Sequence, residues 1–314
     1  MKGKRAERTN TSNKSSNASN EFLGTFLIIL TAIISGASIV INKFFVVSVD
    51  PLLLTSLRAF FIGIIFFFIS LYFSRKNKTS FNKVSWKWLL TIGIVGGSFA
   101  FWLFFTGLKV TTAGRAAFIH KTLPIYACIL AFIFLKEKIG KKLLIALGIM
   151  LVGLVLIEFS NISSAMRTGD MLILVATILW AVESTIAKKA MLNKESNWVV
   201  VFSRMFFGAI ILFALMFILG RYNLITSLTS QQLVYILVSG GLLFLYVLTY
   251  YLGLKHINLS KASTILLLSP VISLVLGMIW LNEKVLMLQL IGSLLILIGA
   301  FVVARVKSEG VQEL

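Results

Sequence analysis

Two stretches decide how this chain is read: "GLKVTTAGRAAFIHKTLPIYACILAFIFLKEK" (Gly107–Lys138) and "GLKHINLSKASTILLLSPVISLVLGMIWLNEK" (Gly253–Lys284). They lie 146 residues apart and share Gly-Leu-Lys at the start, Pro124 against Pro270, and "LKEK" against "LNEK" at the end. The same offset pairs Arg115 with Lys261, Ala116 with Ala262, Gly153 with Gly299, and "RAFF" at Arg58 with "RMFF" at Arg204. A correspondence that runs through two apolar segments and the turn between them marks an internal duplication.

The copies are built for a bilayer. Of 314 residues, 58% are hydrophobic and only 13% are charged; a soluble domain is about one quarter charged and under half apolar. Ten apolar segments run near 22–42, 52–73, 87–108, 114–135, 142–159, 170–188, 198–219, 232–253, 261–281 and 285–304. Each is long enough for a helix to cross ~30 Å of hydrocarbon. Period-two alternation is absent, which argues against an outer-membrane barrel. Each copy holds five segments, and five is odd, so the second copy enters the membrane from the opposite side. The expected fold is an all-α integral membrane protein of ten transmembrane helices in two inverted five-helix repeats, 22–159 and 160–305. A disordered basic tail (1–21) precedes them and a short tail (306–314) follows. Inverted duplication is the architecture of many secondary transporters.

The formal charge of +19 invites a nucleic-acid reading, but the placement of the charges removes it. With the N-terminus inside, 21 Lys and Arg residues fall on inside segments and six on outside ones. That asymmetry orients membrane helices. It predicts a multi-pass protein of the cytoplasmic (inner) membrane with both termini cytoplasmic. Cys128 is the sole cysteine, and His120 and His256 are the only histidines, so no intrachain disulfide or metal cluster is expected. No phosphate-binding G-x-x-x-x-G-K-[ST] stretch occurs. No cofactor is implied, and nothing resembles a catalytic constellation, so an enzyme is not expected. The alternative kept open is a membrane-embedded sensor or enzyme without transport.

These residues resemble the drug/metabolite transporter superfamily, EamA type. "SGASIVINKFF" is similar to the family pattern W-G-x-N-F-x-x-x-K at Gly36 and Lys43, with Ser35 and Ser38 where Trp and Asn are usual. "LRAFF" resembles the opening of its second helix, the two quoted stretches resemble its A-x-x-L…P…E segment, and "LIGSLLILIGAFVV" its closing helix. The resemblance covers about 22–305. It implies a central cavity bounded by the third, fourth, eighth and ninth helices with the first and sixth. It also implies a small-molecule substrate and carrier-type transport by alternating access. Related organophosphate antiporters use basic residues in the fourth helix, which points to an anionic substrate; the family's range also admits an amino-acid-like one. A coupling proton and a homodimer are left open.

Several polar residues inside the spans are candidates for binding substrate. Lys121 lies at bilayer depth, where a cation costs roughly 2.5–3.5 kcal/mol or more. Its repeat counterpart is Leu267, so the charge is not a duplicated structural feature. It is expected to project into the cavity or to snorkel to the headgroups. His120 beside it would line the cavity edge. Glu183 is read as a counter-charge to Lys121, a proton carrier, a partner of a substrate amine, or a partner of Lys188 or Lys189. Trp180, Trp102 and Tyr250 are candidates for stacking on or donating to substrate. Arg58 and Arg204, repeated in both halves, are read as structural, snorkelling or capping helix ends. Pro124 and Pro270 are expected to weaken equivalent helices at gating points.

Overall fold

The computed structural model describes the backbone of residues 2–76, 85–162, 168–281 and 285–308. Lys78, Lys83, Arg167, Glu283, Lys284 and residues 309–314 lie outside them. Among the described residues, ten helices are long and apolar enough to span a membrane: Ser19–Ser48, Pro51–Lys76, Trp86–Val110, Gly114–Phe134, Lys141–Phe159, Thr168–Leu192, Asn197–Ile218, Ser230–His256, Leu259–Ile279 and Met287–Arg305. They are called the first to tenth spans. With an even number of spans the two termini share one side, the terminal side; the opposite side is the far side. The helix of the first span begins at Lys2, so the polar residues expected to be disordered are helical. A helix already nucleated in the bilayer extends without the cost of a new nucleus.

Pairing of the spans displays the inverted duplication. The first packs on the eighth and the third on the sixth, while the second pairs with the seventh and the fifth with the tenth. Exchanging the two halves maps this set onto itself. Close helix approach at small residues marks the first two crossings. A Cβ on Gly253 would stand 3.0 Å from the Gly24 carbonyl oxygen, and one on Gly107 would stand 2.6 Å from that of Gly169. Gly107 and Gly253 are related by the offset of 146, but Gly24 and Gly169 are related by 145. The first and sixth spans therefore correspond with a shift of one residue.

Two lysines confirm that register. Lys43 Nζ donates to the carbonyls of Leu108 (2.8 Å) and Thr111 (2.6 Å) at the end of the third span. Lys188 Nζ donates to those of Leu254 (2.7 Å) and Ile257 (3.0 Å) at the end of the eighth. Leu108 and Thr111 become Leu254 and Ile257 under the offset of 146, while Lys43 becomes Lys188 under 145. Each cation satisfies carbonyls that a helix end leaves without partners. Lys188 thus serves the eighth span rather than Glu183.

The mouths of the two halves are also related. Arg115 at the start of the fourth span pairs with Asp170 of the sixth. Lys261 at the start of the ninth pairs with Glu21 of the first at 3.0 Å. On the terminal side Glu137, in the turn between the fourth and fifth spans, does not pair with neighbouring lysines as its sequence suggests. It accepts from the amides of Leu259 (2.8 Å) and Ser260 (3.0 Å) and from Ser260 Oγ (2.6 Å). The free amides at the ninth helix's N-terminus are good partners for a carboxylate.

Pro124 and Pro270 both follow a local break. The fourth span is interrupted at Lys121 and Thr122, and Pro124 lies in the first turn of the Leu123–Phe134 helix. The ninth tightens to a 3-10 turn at Leu266–Leu268 before the Ser269–Leu281 helix. Proline fits a first helical turn because no partner for its nitrogen is needed there.

Candidate functional site

A cavity lies between the halves. The first span contributes Ser35, Ser38, Ile39 and Asn42, and the second Arg58. Phe101, Phe104 and Phe105 of the third, at helical spacing i, i+3 and i+4, present one aromatic face. His120 and Leu123 flank the break in the fourth span; Trp180 and Ser184 come from the sixth and Arg204 from the seventh. The eighth adds Ser239, Leu243, Tyr246 and Tyr250, and the ninth Leu266. Aromatic walls with few convergent polar groups are characteristic of small-molecule sites.

The aromatic wall depends on an unusual stretch of helix. Gly93–Phe99 is a π-helix, a feature that often occurs at functional sites. It lets the third span approach the sixth and seventh at once. A Cβ on Gly96 would stand 2.1 Å from Glu183 Cγ, and one on Gly97 only 1.8 Å from the Arg204 carbonyl oxygen. The Gly96 carbonyl accepts from Trp180 Nε1 at 3.1 Å. This fixes the indole, which lies 5.2 Å from Phe104 and 5.0 Å from the His120 ring. His120 Nδ1 is buried without a hydrogen-bond partner among the described residues.

Behind the wall, Glu183 is fully buried. Its carboxylate faces Arg204 Nη1 at 3.6 Å and accepts from the Tyr251 hydroxyl. Arg204 Nη1 donates to that hydroxyl at 3.1 Å. Tyr250 stacks on Tyr246 with ring centroids 5.9 Å apart and donates to Ser184 Oγ at 3.1 Å. A buried charge pair of this kind needs further hydrogen bonds to offset its desolvation, and Tyr251 supplies them. The expected pairings of Glu183 with Lys121, Lys188 or Lys189 are replaced by this one.

Among the described residues, Arg58 has no such carboxylate. It is 2% exposed, and Nη1 donates to Ser239 Oγ at 3.1 Å. Ser239 Oγ donates in turn to Asn42 Oδ1 at 2.5 Å. The guanidinium carbon lies 4.8 Å from the Phe101 ring and 4.1 Å from Phe105, within cation–π range. Its Nε and Nη2 have no hydrogen-bond partner among the described residues.

The EamA-like transporter family matches residues 22–159 and again 167–305, once over each half. The chain belongs to that family. Among relatives of this EamA-like transporter is the uncharacterized transporter YoaV of Bacillus subtilis (strain 168), 28% identical over 87% of the chain and 94% of that protein. Another is a probable amino-acid metabolite efflux pump of Escherichia coli (strain K12), 27% identical over 88% of the chain and 93% of the pump. A crystal structure at 18% identity superposes with a TM-score of 0.69, covering 91% of the chain and 98% of its own, and shares the fold.

In this EamA-like transporter His120, Trp180 and Tyr250 line the cavity, as their sequence context suggests. Lys121 does not. It is 3% exposed, does not snorkel, and its Nζ donates to Ser35 Oγ at 2.9 Å, one layer behind the lining. The helix break at Lys121 turns its side chain toward the first span. Glu183 also stands behind the lining, and Trp102, one position around the helix from Phe101, is outside it. Arg58 and Arg204, expected to snorkel or cap, are lining residues instead. The sequence signal for them was present: two arginines duplicated well inside apolar runs are rare unless they face a polar interior.

Proposed function

We propose that this EamA-like transporter is a secondary carrier. It moves a small metabolite, anionic or amino-acid-like, across the cytoplasmic membrane by alternating access. The observation that carries this reading is the cavity at the interface of two inverted halves, lined by Arg58, Arg204, Trp180 and Tyr250. Substrate bound there touches both repeats, 22–159 and 160–305, and their rocking exposes it to one side and then the other. Pro124 and Pro270, next to the helix breaks, are the points where the fourth and ninth spans bend. Lys121 contributes through Ser35, adding positive potential to the cavity. The charge distribution puts both termini in the cytoplasm, and a proton or substrate gradient drives the cycle. The metabolite named for the Escherichia coli relative fits an amino-acid-like cargo.

Counterflow in proteoliposomes tests the reading. Vesicles preloaded with members of a panel of anionic and zwitterionic metabolites are expected to take up the labelled compound transiently, with no chemical change. Lys121→Ala is expected to slow that exchange about tenfold, equivalent to ~1.4 kcal/mol. Conversion of the compound to a product would instead identify an enzyme. Absence of exchange across the panel would contradict a carrier.

A further inference from the structure

The one-residue shift between the first and sixth spans exposes an asymmetry in the cavity. Under the offset of 145, Lys43 matches Lys188, Ser35 matches Trp180, and Ser38 matches Glu183. Arg58 matches Arg204 under 146. The second half therefore holds an arginine with its carboxylate, Arg204 with Glu183. The first half holds an arginine, Arg58, with Ser38 where the carboxylate should be. Ser38 Oγ is buried and without a partner among the described residues, as are Arg58 Nε and Nη2. Both residues line the same cavity.

We propose that the ligand supplies the missing carboxylate: the cavity binds a small carboxylic acid with an apolar body, and Arg58 holds its carboxylate. This rests on the reading of the cavity as the substrate site. Guanidinium groups take carboxylates through two parallel N–H···O bonds, and Arg58 has two nitrogens free for them. Ser38 Oγ donates a third bond. Phe104, Trp180 and Leu243 receive the apolar body. The surplus charge excludes an amine at the same end. Lys121 stands behind Ser35, no carboxylate lines the cavity among the described residues, and Glu183 is committed to Arg204 and Tyr251. A ligand carrying an ammonium group would meet cations and find no free acid. The lone carboxylate separates this class from the broader anionic or amino-acid-like cargo.

Binding to the purified full chain in detergent, read by thermal shift and by calorimetry, tests the proposal without requiring transport. The probes are 3-phenylpropionate, its neutral isostere 3-phenylpropionamide, and phenethylamine. The expected result is that the acid binds at least about tenfold more tightly than the amide or the amine, since a charged partner left unpaired is costly. Arg58→Gln should erase that preference, and Arg58→Lys should retain part of it. Equal affinity for acid and amide in the wild type overturns the proposal. So does failure of the wild type to bind the acid, or an unchanged preference in a folded Arg58→Gln protein. Because the acid-to-amide ratio is measured on the wild type, a variant that fails to fold leaves the proposal open to refutation. Preferential binding of the acid without counterflow of it would uphold this site and sink the carrier reading instead.

Discussion

Glu183→Ala is expected to destabilise the folded protein by about 3–5 kcal/mol, the usual cost of removing one member of a buried ion pair. The loss follows from what remains. Arg204 is 4% exposed and, among the described residues, would keep its charge with only the Tyr251 hydroxyl and two ring faces for company. The Tyr251 hydroxyl would lose its acceptor. Glu183→Gln preserves the shape and one hydrogen bond, so it should cost less than the alanine variant. Arg204→Leu in the Glu183→Ala background should recover stability relative to Glu183→Ala alone, because it removes the stranded charge. Thermal unfolding followed by size-exclusion chromatography reads all four proteins. A Glu183→Ala variant as stable as wild type would show that the pair bears none of this weight.

The second large effect is expected from a single methyl group. Gly97→Ala places a Cβ 1.8 Å from the Arg204 carbonyl oxygen and 2.9 Å from its carbonyl carbon. Gly208 meets the Gly97 backbone from the opposite side, its own Cβ position lying 2.4 Å from the Gly97 oxygen. Backbone faces backbone here, so no side chain can rotate away. Overpacking typically costs 1–3 kcal/mol and occasionally more, and this contact belongs at the upper end. The third and seventh spans must separate, which moves Arg204 and the aromatic wall together. Gly148→Ala is the matched control, because nothing lies within 4 Å of the added carbon. The expected result is loss of well-behaved protein for Gly97→Ala with none for Gly148→Ala, measured as monodisperse yield and melting temperature. Equal behaviour of the two would contradict the packing described.

The fold was legible because membrane helices and their inverted duplication write directly into the sequence. Apolar length marks each span, and an odd number of spans per repeat sets the inversion. The site was legible only in part. Trp180, His120 and Tyr250 stand out as polar or aromatic groups on the right spans, and each reaches the cavity. Lys121 stands out equally, yet a break at its own position points it behind the wall, and apolar periodicity carries no sign of that break. Arg58 and Arg204 read as structural in the sequence because they are duplicated, whereas the duplication places one arginine from each half in the same cavity. The pairing of Ser38 with Glu183 stayed hidden because a fixed offset of 146 misses it by one residue. Only the contacts of Lys43, Lys188, Gly24 and Gly169 reveal the shift.

Alternation of access is the central claim, and side-specific labelling of a cavity residue tests it directly. Ser38→Cys in a Cys128→Ser background, in sealed vesicles, is exposed to a membrane-impermeant thiol reagent added on one side or the other. The Ser38→Cys side chain should be labelled from both sides. Glu137→Ala removes the carboxylate that holds the start of the ninth span on the terminal side. It should raise labelling from that side and lower labelling from the far side. Labelling from one side only, or rates that rise or fall together on both sides, would contradict alternating access.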